Sequence, residues 1–470
     1  MSDKPNIIIF LSDQHNPQML EGEDEIVRTP SLDRLARGGV RLDNCYCGYA
    51  LCVPARSHFL TGQACHRLGI WGNDDPLSPN APTFAHALSM EGYRTVLVGR
   101  MHFVGDDQKH GFQERVVGDV TSGYIGVNRA EDRYQGYYGL LNSLENPGPG
   151  RSVDQEFDTA VAMNACQVLR DHEVSGDSRP LCMVVGFYSP HDPYRAYGRF
   201  RRMYEGTDDM PVDPTGENLH PFNQPGNRWE KVPEENVREA RRCYRAKVSF
   251  MDELIGKVLQ RLEQTELGEN ALCIYTSDHG DMLGEHGLWA KGTFYDPSSR
   301  VPMIASWPGQ LPEGERRDAV VGLGDVAPTL VDLVDGRTLP HTDGRSFLPL
   351  LERSEADVPG IALSENSGTN RGGPARMVRQ GRWKLNVYSG HSPELFDMET
   401  DPHELNNLAG DPAHAQTIEQ LTERAYADGW DPETICEEIE RRGPNCGYIR
   451  RWAAEMKPTH PVQWALPAQL

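Results

Sequence analysis

Four segments of the chain end in side chains that can hold a cation or move a proton: Asp13 and Gln14, Arg100 and His102, His191 and Asp192, and Asp278 and His279. Asp13, Gln14, Asp278 and His279 together offer three oxygen ligands and one imidazole. That set suits a hard or intermediate divalent cation better than a thiolate-seeking one, and calcium, magnesium and manganese all fit it. Taken singly, Asp13 reads as a strand-end cap and Asp278 to Asp281 as an acidic turn; two such pairs weigh against that. A fifth segment, LCVPARSHFLTGQ, carries a potential nucleophile. Pro54 suits the first turn of a helix, with Ala55, Phe59 and Leu60 supplying its buried face. Cys52 then lies at the helix N-terminus, where backbone N–H groups, the dipole and the nearby Arg56 favour an anion. The spacing from Cys52 to Arg56 is too short for the thiolate loop of a cysteine phosphatase. An isolated segment of this kind is more often a buried thiol beside a surface arginine; the company it keeps changes that judgement.

Those groups need a scaffold, and the apolar runs before them supply one. Asn6 to Ser12, Thr95 to Gly99, Leu181 to Ser189 and Ala271 to Ser277 read as strands buried on both faces of a mainly parallel sheet. Between them lie helical patterns, the clearest from Asn236 to Leu267, where Met251, Leu254, Ile255, Val258, Leu259 and Leu262 share a face. Alternating strands and helices predict an α/β fold: a large mainly parallel, mixed sheet with helices on both faces. In such sheets ligands bind beyond the carboxyl ends of the strands, where all four polar endings fall. Val301 to Trp307 is a further apolar run with no such ending, and reads as structural. Asp119 to Asp154 and Asp208 to Asn227, rich in Gly, Pro and Asn or Asp, are too long for tight connections and are candidate lids. From about residue 356 the texture changes to short strand-like pieces, Met377 to Arg379 and Trp383 to Tyr388, then an acidic ELFDMETDPHELNNLA and a helical Pro432 to Arg442. The expected division is residues 1–355 as a catalytic α/β domain and 356–470 as a smaller α+β domain with an extended tail.

The formal net charge of −22 opposes nucleic acid and anionic membrane surfaces as partners, so an anionic substrate must meet a locally positive pocket. No apolar run reaches the length of a membrane span, and the opening MSDKPNIIIFLSDQ turns polar too early for a signal peptide, so a cytoplasmic location is expected. Ten cysteines are scattered without a disulfide framework, and the Cys45–Cys47 pair lacks a second pair of zinc ligands. The acidic C-terminal region is a candidate surface for homo-oligomer assembly.

These segments, in this order, resemble the formylglycine-dependent sulfatases of the alkaline phosphatase superfamily over most of the chain. PNIIIFLSDQ is similar to the family's opening strand, TPSLDRLARGGVRLDNCYC to its first helix and next strand, and CVPARSHFLTG to its signature. GYRTVLVGRMHF, TSDHGDMLGEHGLWAKGTFYDPSSRVPMI and ELFDMETDPHELNNLA match later family segments. The resemblance implies an alkaline phosphatase-like fold and conversion of Cys52 to formylglycine by a maturation enzyme that reads Pro54 and Arg56. It implies one divalent metal on Asp13, Gln14, Asp278 and His279, with residue 52 completing the set. Arg56 would hold the hydrated aldehyde and the carboxylates. Arg100, His191 and Lys291 would bind sulfate, His102 would act as base, and His191 or Lys291 would protonate the departing alcohol.

The chain departs from many relatives in having Gln14 for Asp, His279 for Asn and Arg100 for Lys. The first two lower the negative charge at the metal, which moves weight from calcium towards manganese; the third binds sulfate as a planar fork that lends no proton. GRMHFVGDDQKHGFQER and HDPY resemble the choline sulfatases, whose quaternary ammonium calls for an aromatic or acidic cage; Tyr124, Tyr134, Tyr137 and Tyr138 are candidates for it. The Asp-Gln and Asp-His pairs equally resemble phosphonate monoester and phosphodiester hydrolases. The expected reaction is hydrolysis of a small-molecule or carbohydrate sulfate ester. The alternatives are that phosphonate or phosphodiester chemistry, and a non-catalytic anion-binding protein with an unconverted Cys52.

Overall fold

The computed structural model describes residues 4–20, 22–121, 143–213, 215–217, 219–224, 232–354, 356, 358, 360–369, 371–456, 458 and 464. Its first sheet is built from β1 (Asn6–Asp13), β2 (Val40–Tyr46), β3 (Arg94–Gly99), β4 (Glu114–Arg115), β5 (Leu181–Pro190), β6 (Ala271–Ser277), β7 (Arg300–Val301), β8 (Met303–Ser306) and β9 (Glu315–Gly322). The strand order is β9-β2-β8-β6-β1-β5-β3-β4, with β7 pairing to β2. The four strands expected from the sequence are therefore four adjacent central strands, β6-β1-β5-β3, all mutually parallel. Register brings their ends together: Ser12 lies opposite Ser277, Asp13 opposite Pro190, and Gly99 opposite Gly186. The run expected to be merely structural is β8, antiparallel to both β6 and β2, which makes the sheet mixed. Strand β9 was not foreseen, because its charged start ERRD leaves the edge strand exposed where an apolar run would have announced it.

Continuous apolar runs form here because the sheet is covered on both faces. Ile8 and Phe10 of β1 point into a core shared with α3 (Val153–Ser175) and α4 (Glu234–Glu263). Ile7, Ile9 and Leu11 point into a second core with Phe59 and Leu60 of α2 (Cys52–Thr61). Helix α1 (Pro30–Arg37) packs on α4. Each fully buried Ile, Leu or Phe contributes about 1.5–3 kcal/mol, so this alternation fixes register as well as stability. The α4 face predicted from periodicity is buried, but the helix stops at Glu263 and gives way to a 3-10 turn, Glu266–Asn270, with Thr265 Oγ1 donating to the Leu262 carbonyl at 2.7 Å.

A second, antiparallel sheet follows: β10 (Ile361–Asn366), β11 (Ala375–Gln380), β12 (Trp383–Tyr388) and β13 (Glu394–Asp397), paired in chain order. Helix α5 (Ala415–Tyr426) covers it through Leu421 and Ala425. Helix α6 (Pro432–Met456) runs well past the expected Arg442 and through Pro444. Arg442 ties one side of that proline to the Gly69 carbonyl and Asp75, and Arg450 ties the other to Asp74. Among the described residues no helix is long and apolar enough to cross a membrane. Of the candidate lids, residues 122–142, 214, 218 and 225–227, including Tyr124, Tyr134, Tyr137 and Tyr138, lie outside the described residues. The described part of the second stretch is tied down, Asp209 by Arg241 and Arg245, and Phe222 against Tyr388.

The two sheets are joined by buried charge. Lys384 of β12, fully buried, reaches Asp296 at 2.8 Å and Glu404 at 2.7 Å, and Tyr46 of β2 donates to Asp296 at 3.0 Å. Burial alone would raise both acids. Lys384 and Arg300 hold Asp296 below the usual range, while Glu404, buried and next to Asp296, is pushed up to about 7. Removing one member of such a set leaves buried charge without compensation. Lys384→Met should lower stability by about 3–5 kcal/mol in urea unfolding followed by tryptophan fluorescence; a loss below about 1 kcal/mol would mean that solvent already screens this junction.

Candidate active site

Cys52 is the first residue of α2 and is 1% exposed. No side chain of its own turn caps the helix; Asn73, distant in sequence, accepts from the Val53 N–H at 3.0 Å. Pro54 sits in the first turn, where a missing N–H costs nothing. The helix differs from expectation in being buried nearly all round, not along one stripe, since it lies among β1, the helix Phe84–Met90 and the helix Val326–Leu333. Arg56 is buried with it. Its Nε donates to Asp278 at 2.8 Å, its Nη2 to Asp13 at 3.1 Å, and its Nη1 to the Arg100 carbonyl at 3.1 Å.

The structure brings Asp13, Cys52, Asp278 and His279 into one group whose donor atoms lie within 4.8 Å of one another. Cys52 Sγ is 3.3 Å from His279 Nε2 and 3.8 Å from Asp13 Oδ1. His279 Nδ1 lies 3.0 Å from the Gly280 carbonyl, to which it donates, so Nε2 is turned into the group. Gln14, at φ 68°, is held in a strained backbone conformation by the Tyr244 hydroxyl on its carbonyl and by Asp278, which accepts from its N–H at 3.0 Å. Its Nε2 donates to Asp281 at 2.6 Å, which turns Oε1 back towards Lys291 and the group. The donor set of carboxylates, an amide oxygen and an imidazole lone pair fits a divalent cation.

Asp281 went unnoticed in the sequence. It lies in the same DHGD turn, is wholly buried, and accepts from Gln14, Tyr194, Leu283 and Ala290. Burial, with Asp192 nearby, raises its pKa against these hydrogen bonds. Asp119 and Asp192 were also unassigned as partners. Asp119 receives Arg100 Nη1 at 3.0 Å and the His102 N–H at 2.7 Å, while Asp192 Oδ1 is 3.0 Å from His191 Nδ1.

Arg100 is fully buried and turned towards the protein. Its Nε binds Asp13, Nη1 binds Asp119 and Thr121, Nη2 lies 3.1 Å from His102 Nδ1, and the guanidinium stacks 4.6 Å over Tyr188. The fork expected to grip sulfate is thus engaged in holding Asp13 and His102. Gly99 and Gly186 permit this course, since a Cβ on Gly186 would lie 1.9 Å from the Arg100 carbonyl. Arginine has no lone pair to offer, so His102 Nδ1 must accept and its neutral ring carries hydrogen on Nε2. His102, expected as a base, also hydrogen-bonds Cys52 and stands here as a donor.

His191 and Lys291 complete the circle, Nε2 to Nζ at 2.7 Å, with Lys291 Nζ 3.4 Å from Cys52 Sγ. Burial and Lys291 push the His191 imidazole down, but Asp192 and Asp13 prevail and its pKa rises to about 10. Against its burial, Cys52, Asp13, Asp192 and Asp278 raise Lys291 as well; at 2.7 Å one of the two nitrogens must nonetheless accept from the other, so the pair titrates as a unit. Burial would raise the Cys52 thiol; Lys291 and His279, with hydrogen bonds from His102 and His191, instead hold it well below the usual range. Position 52 is therefore built for negative charge. The catalytic, sulfate-binding and metal-ligating candidates named from the sequence all meet here.

A buried thiol ringed by basic side chains at the carboxyl ends of an α/β sheet, beside a carboxylate-rich group that fits a cation, is the arrangement expected of an ester hydrolase. A family model described as Sulfatase matches residues 5–336, and one described as N-sulphoglucosamine sulphohydrolase, C-terminal, matches residues 284–428. The choline-sulfatase of Rhizobium meliloti (strain 1021) is 36% identical over 475 residues, covering 96% of this chain and 90% of that one. The phosphonate monoester hydrolase of Agrobacterium radiobacter superposes with a TM-score of 0.74 at 22% identity, covering 90% and 95% of the two chains. A structure described in complex with its substrate D-glucosamine-2-N,6-O-disulfate gives the same TM-score at 23% identity, covering 92% and 99%. The last two bear on the fold. The chain belongs to the sulfatase family, and it is a sulfuric ester hydrolase.

Asp281 offers a direct test of the cation site. Asp281→Ala frees the Gln14 amide to rotate and should weaken manganese binding by about 10–100-fold in calorimetric titration of chelator-stripped protein, with circular dichroism preserved. Equal affinity in the two proteins would show that Gln14 is oriented without Asp281.

Proposed function

We propose that the chain hydrolyses a sulfate monoester of a small-molecule or carbohydrate alcohol, with the nucleophile derived from Cys52 by conversion to formylglycine. The observation that carries this reading is the seat of Cys52: at a buried helix N-terminus, within reach of Lys291, His279, Asp13 and His102. Here Sγ stands in for the oxygens of a hydrated aldehyde. Formylglycine supplies two hydroxyls on one carbon, one to attack sulfur and one whose deprotonation releases sulfate, a route closed to serine. Asp13, Gln14, Asp278 and His279 would hold one divalent cation, manganese or calcium with magnesium also accommodated, which lowers the pKa of a hydroxyl and offsets charge on the sulfate.

The chain's own residues have separable tasks. Arg56, wedged between Asp13 and Asp278, bonds both carboxylates and keeps them turned inward. Arg100 fixes Asp13 and the tautomer of His102, leaving His102 to donate towards oxygen on residue 52. Lys291 Nζ, paired with His191 and 3.4 Å from Cys52 Sγ, would protonate the departing alcohol oxygen. Loss of Lys291 should therefore matter more as the leaving group worsens: Lys291→Ala should lower kcat on an alkyl sulfate by about 10²–10⁴ and much less on 4-nitrophenyl sulfate. An equal loss on both would remove Lys291 from proton transfer.

Peptide mass spectrometry of the Cys52 segment, with rates on 4-nitrophenyl sulfate and an aryl phosphonate from the same sample, tests the whole reading. Conversion with faster sulfate release supports it. Conversion with phosphonate preferred moves the chain to the phosphonate monoester hydrolase reading, which the Asp13–Gln14 and Asp278–His279 pairs also allow. Cys52→Ala should abolish turnover in a folded protein; undiminished turnover would exclude residue 52 as the nucleophile. Choline sulfate belongs in the substrate panel because of the 36% identical relative.

A further inference from the structure

In a chain of net charge −22, a cationic opening is informative. Beside Lys291 lies a cleft of about 670 Å³, bounded by Tyr49, Trp71, residues of β10 and its following loop, and α6; that volume is typical of small-ligand sites. Among its described lining residues Lys291, Arg371, Arg442 and Arg450 face only two carboxylates, Asp74 and Asp75. Both carboxylates are already committed. Asp75 accepts from Arg442 at 2.7 Å and from the Trp71 and Gly72 N–H groups, and Asp74 accepts from Arg450 at 2.9 Å.

Arg371 differs from the other arginines of the cleft. Its Nη1 donates at 2.6 Å to the Gly292 carbonyl, which Asn366 Nδ2 also reaches at 3.0 Å, so the guanidinium is anchored to the peptide next to Lys291. The ring of Phe222 lies 5.5 Å from it. Among the described residues no carboxylate pairs with it. Burial lowers its pKa, and only the phenols of Tyr49 and Tyr388 oppose that. A guanidinium with five donors and one protein acceptor has its planar fork free for an oxyanion.

We propose that Arg371 forms an oxyanion subsite that binds a second anionic group, sulfate or carboxylate, on the alcohol half of the sulfate ester. The inference rests on the hydrolase reading above and narrows it: doubly anionic sugar sulfates are favoured, and a cationic alcohol such as choline is disfavoured by the same arginine. The bond to Gly292 also places the subsite beside the residue that faces the departing oxygen, so both ends of a substrate would be gripped from one loop.

The test compares matured full-length protein and Arg371→Gln on methyl glucoside 6-sulfate, methyl glucoside 2,6-disulfate and methyl glucuronide 2-sulfate. Wild type should prefer one doubly anionic probe to the first, and R371Q should cut that preference in kcat/KM at least tenfold, mainly through KM, with partial recovery in Arg371→Lys. Whichever probe loses its advantage identifies sulfate or carboxylate as the second group. A purely structural Arg371 would lower all three rates alike, and that result, or a wild type preferring choline sulfate, overturns the subsite. Should no sulfate ester turn over in converted protein, the hydrolase reading fails by itself. The subsite is then read from calorimetric binding of the disulfate to Cys52→Ala protein with and without R371Q: a tenfold difference sustains it and equal affinity removes it.

Discussion

The rest of the structure depends on one buried cation. Arg56 is 1% exposed and lies between two fully buried carboxylates, Asp13 at the end of β1 and Asp278 just after β6. Without it, adjacent strand ends would bring two carboxylates together in a region from which water is excluded, with Asp278 left lacking its arginine partner. With it, helix α2 is pinned endwise to the sheet by the same bonds that pair the acids. The position of Cys52 follows, because it lies one helical turn before Arg56. Fold and site are thus not separable here: the bonds that order the catalytic end of the sheet are the ones that seat the nucleophile position.

Much of this was legible because burial on both faces writes continuous apolar runs. β1, β3, β5 and β6 could be read from Ile, Val and Leu alone, and the polar groups closing each run marked the site before their adjacency was known. What could not be read was the choice of partner. Nothing in sequence spacing tells that Arg100 turns to Asp13 and Asp119 and not outward, or that Arg100 thereby decides which nitrogen of His102 carries hydrogen. Those outcomes are settled by packing within a few ångströms. Asp281 was closer to reach: a second acid in a turn already marked as functional deserved a role as an orienting group.

Periodicity also misjudges residues that are buried for polar reasons. Lys247 sits within the pattern of α4 as a solvated lysine would, yet it is fully buried, bonding Asp154 at 2.7 Å and the Pro193 carbonyl at 3.2 Å beneath His191. Lys384 does the same in β12. Each replaces an apolar side chain with a charge that must be matched, which narrows the set of arrangements the chain can adopt, and Lys384 in addition gives the two sheets one relative seating.

The burial of α2 has a consequence in time. A folded molecule closes residue 52 away from any other protein, so under the proposed conversion a maturation enzyme must meet CVPAR as extended chain. β6 completes the parallel core beside β1, and Asp278 at its end is synthesised more than two hundred residues after Cys52. At ribosomal rates that delay is on the order of ten to forty seconds. During that interval Arg56 lacks one of its two carboxylates, and the helix has no finished sheet to dock against. Late assembly of the sheet thus leaves a window for chemistry that the finished fold forbids, and the fraction of competent molecules becomes a matter of kinetic competition between conversion and folding.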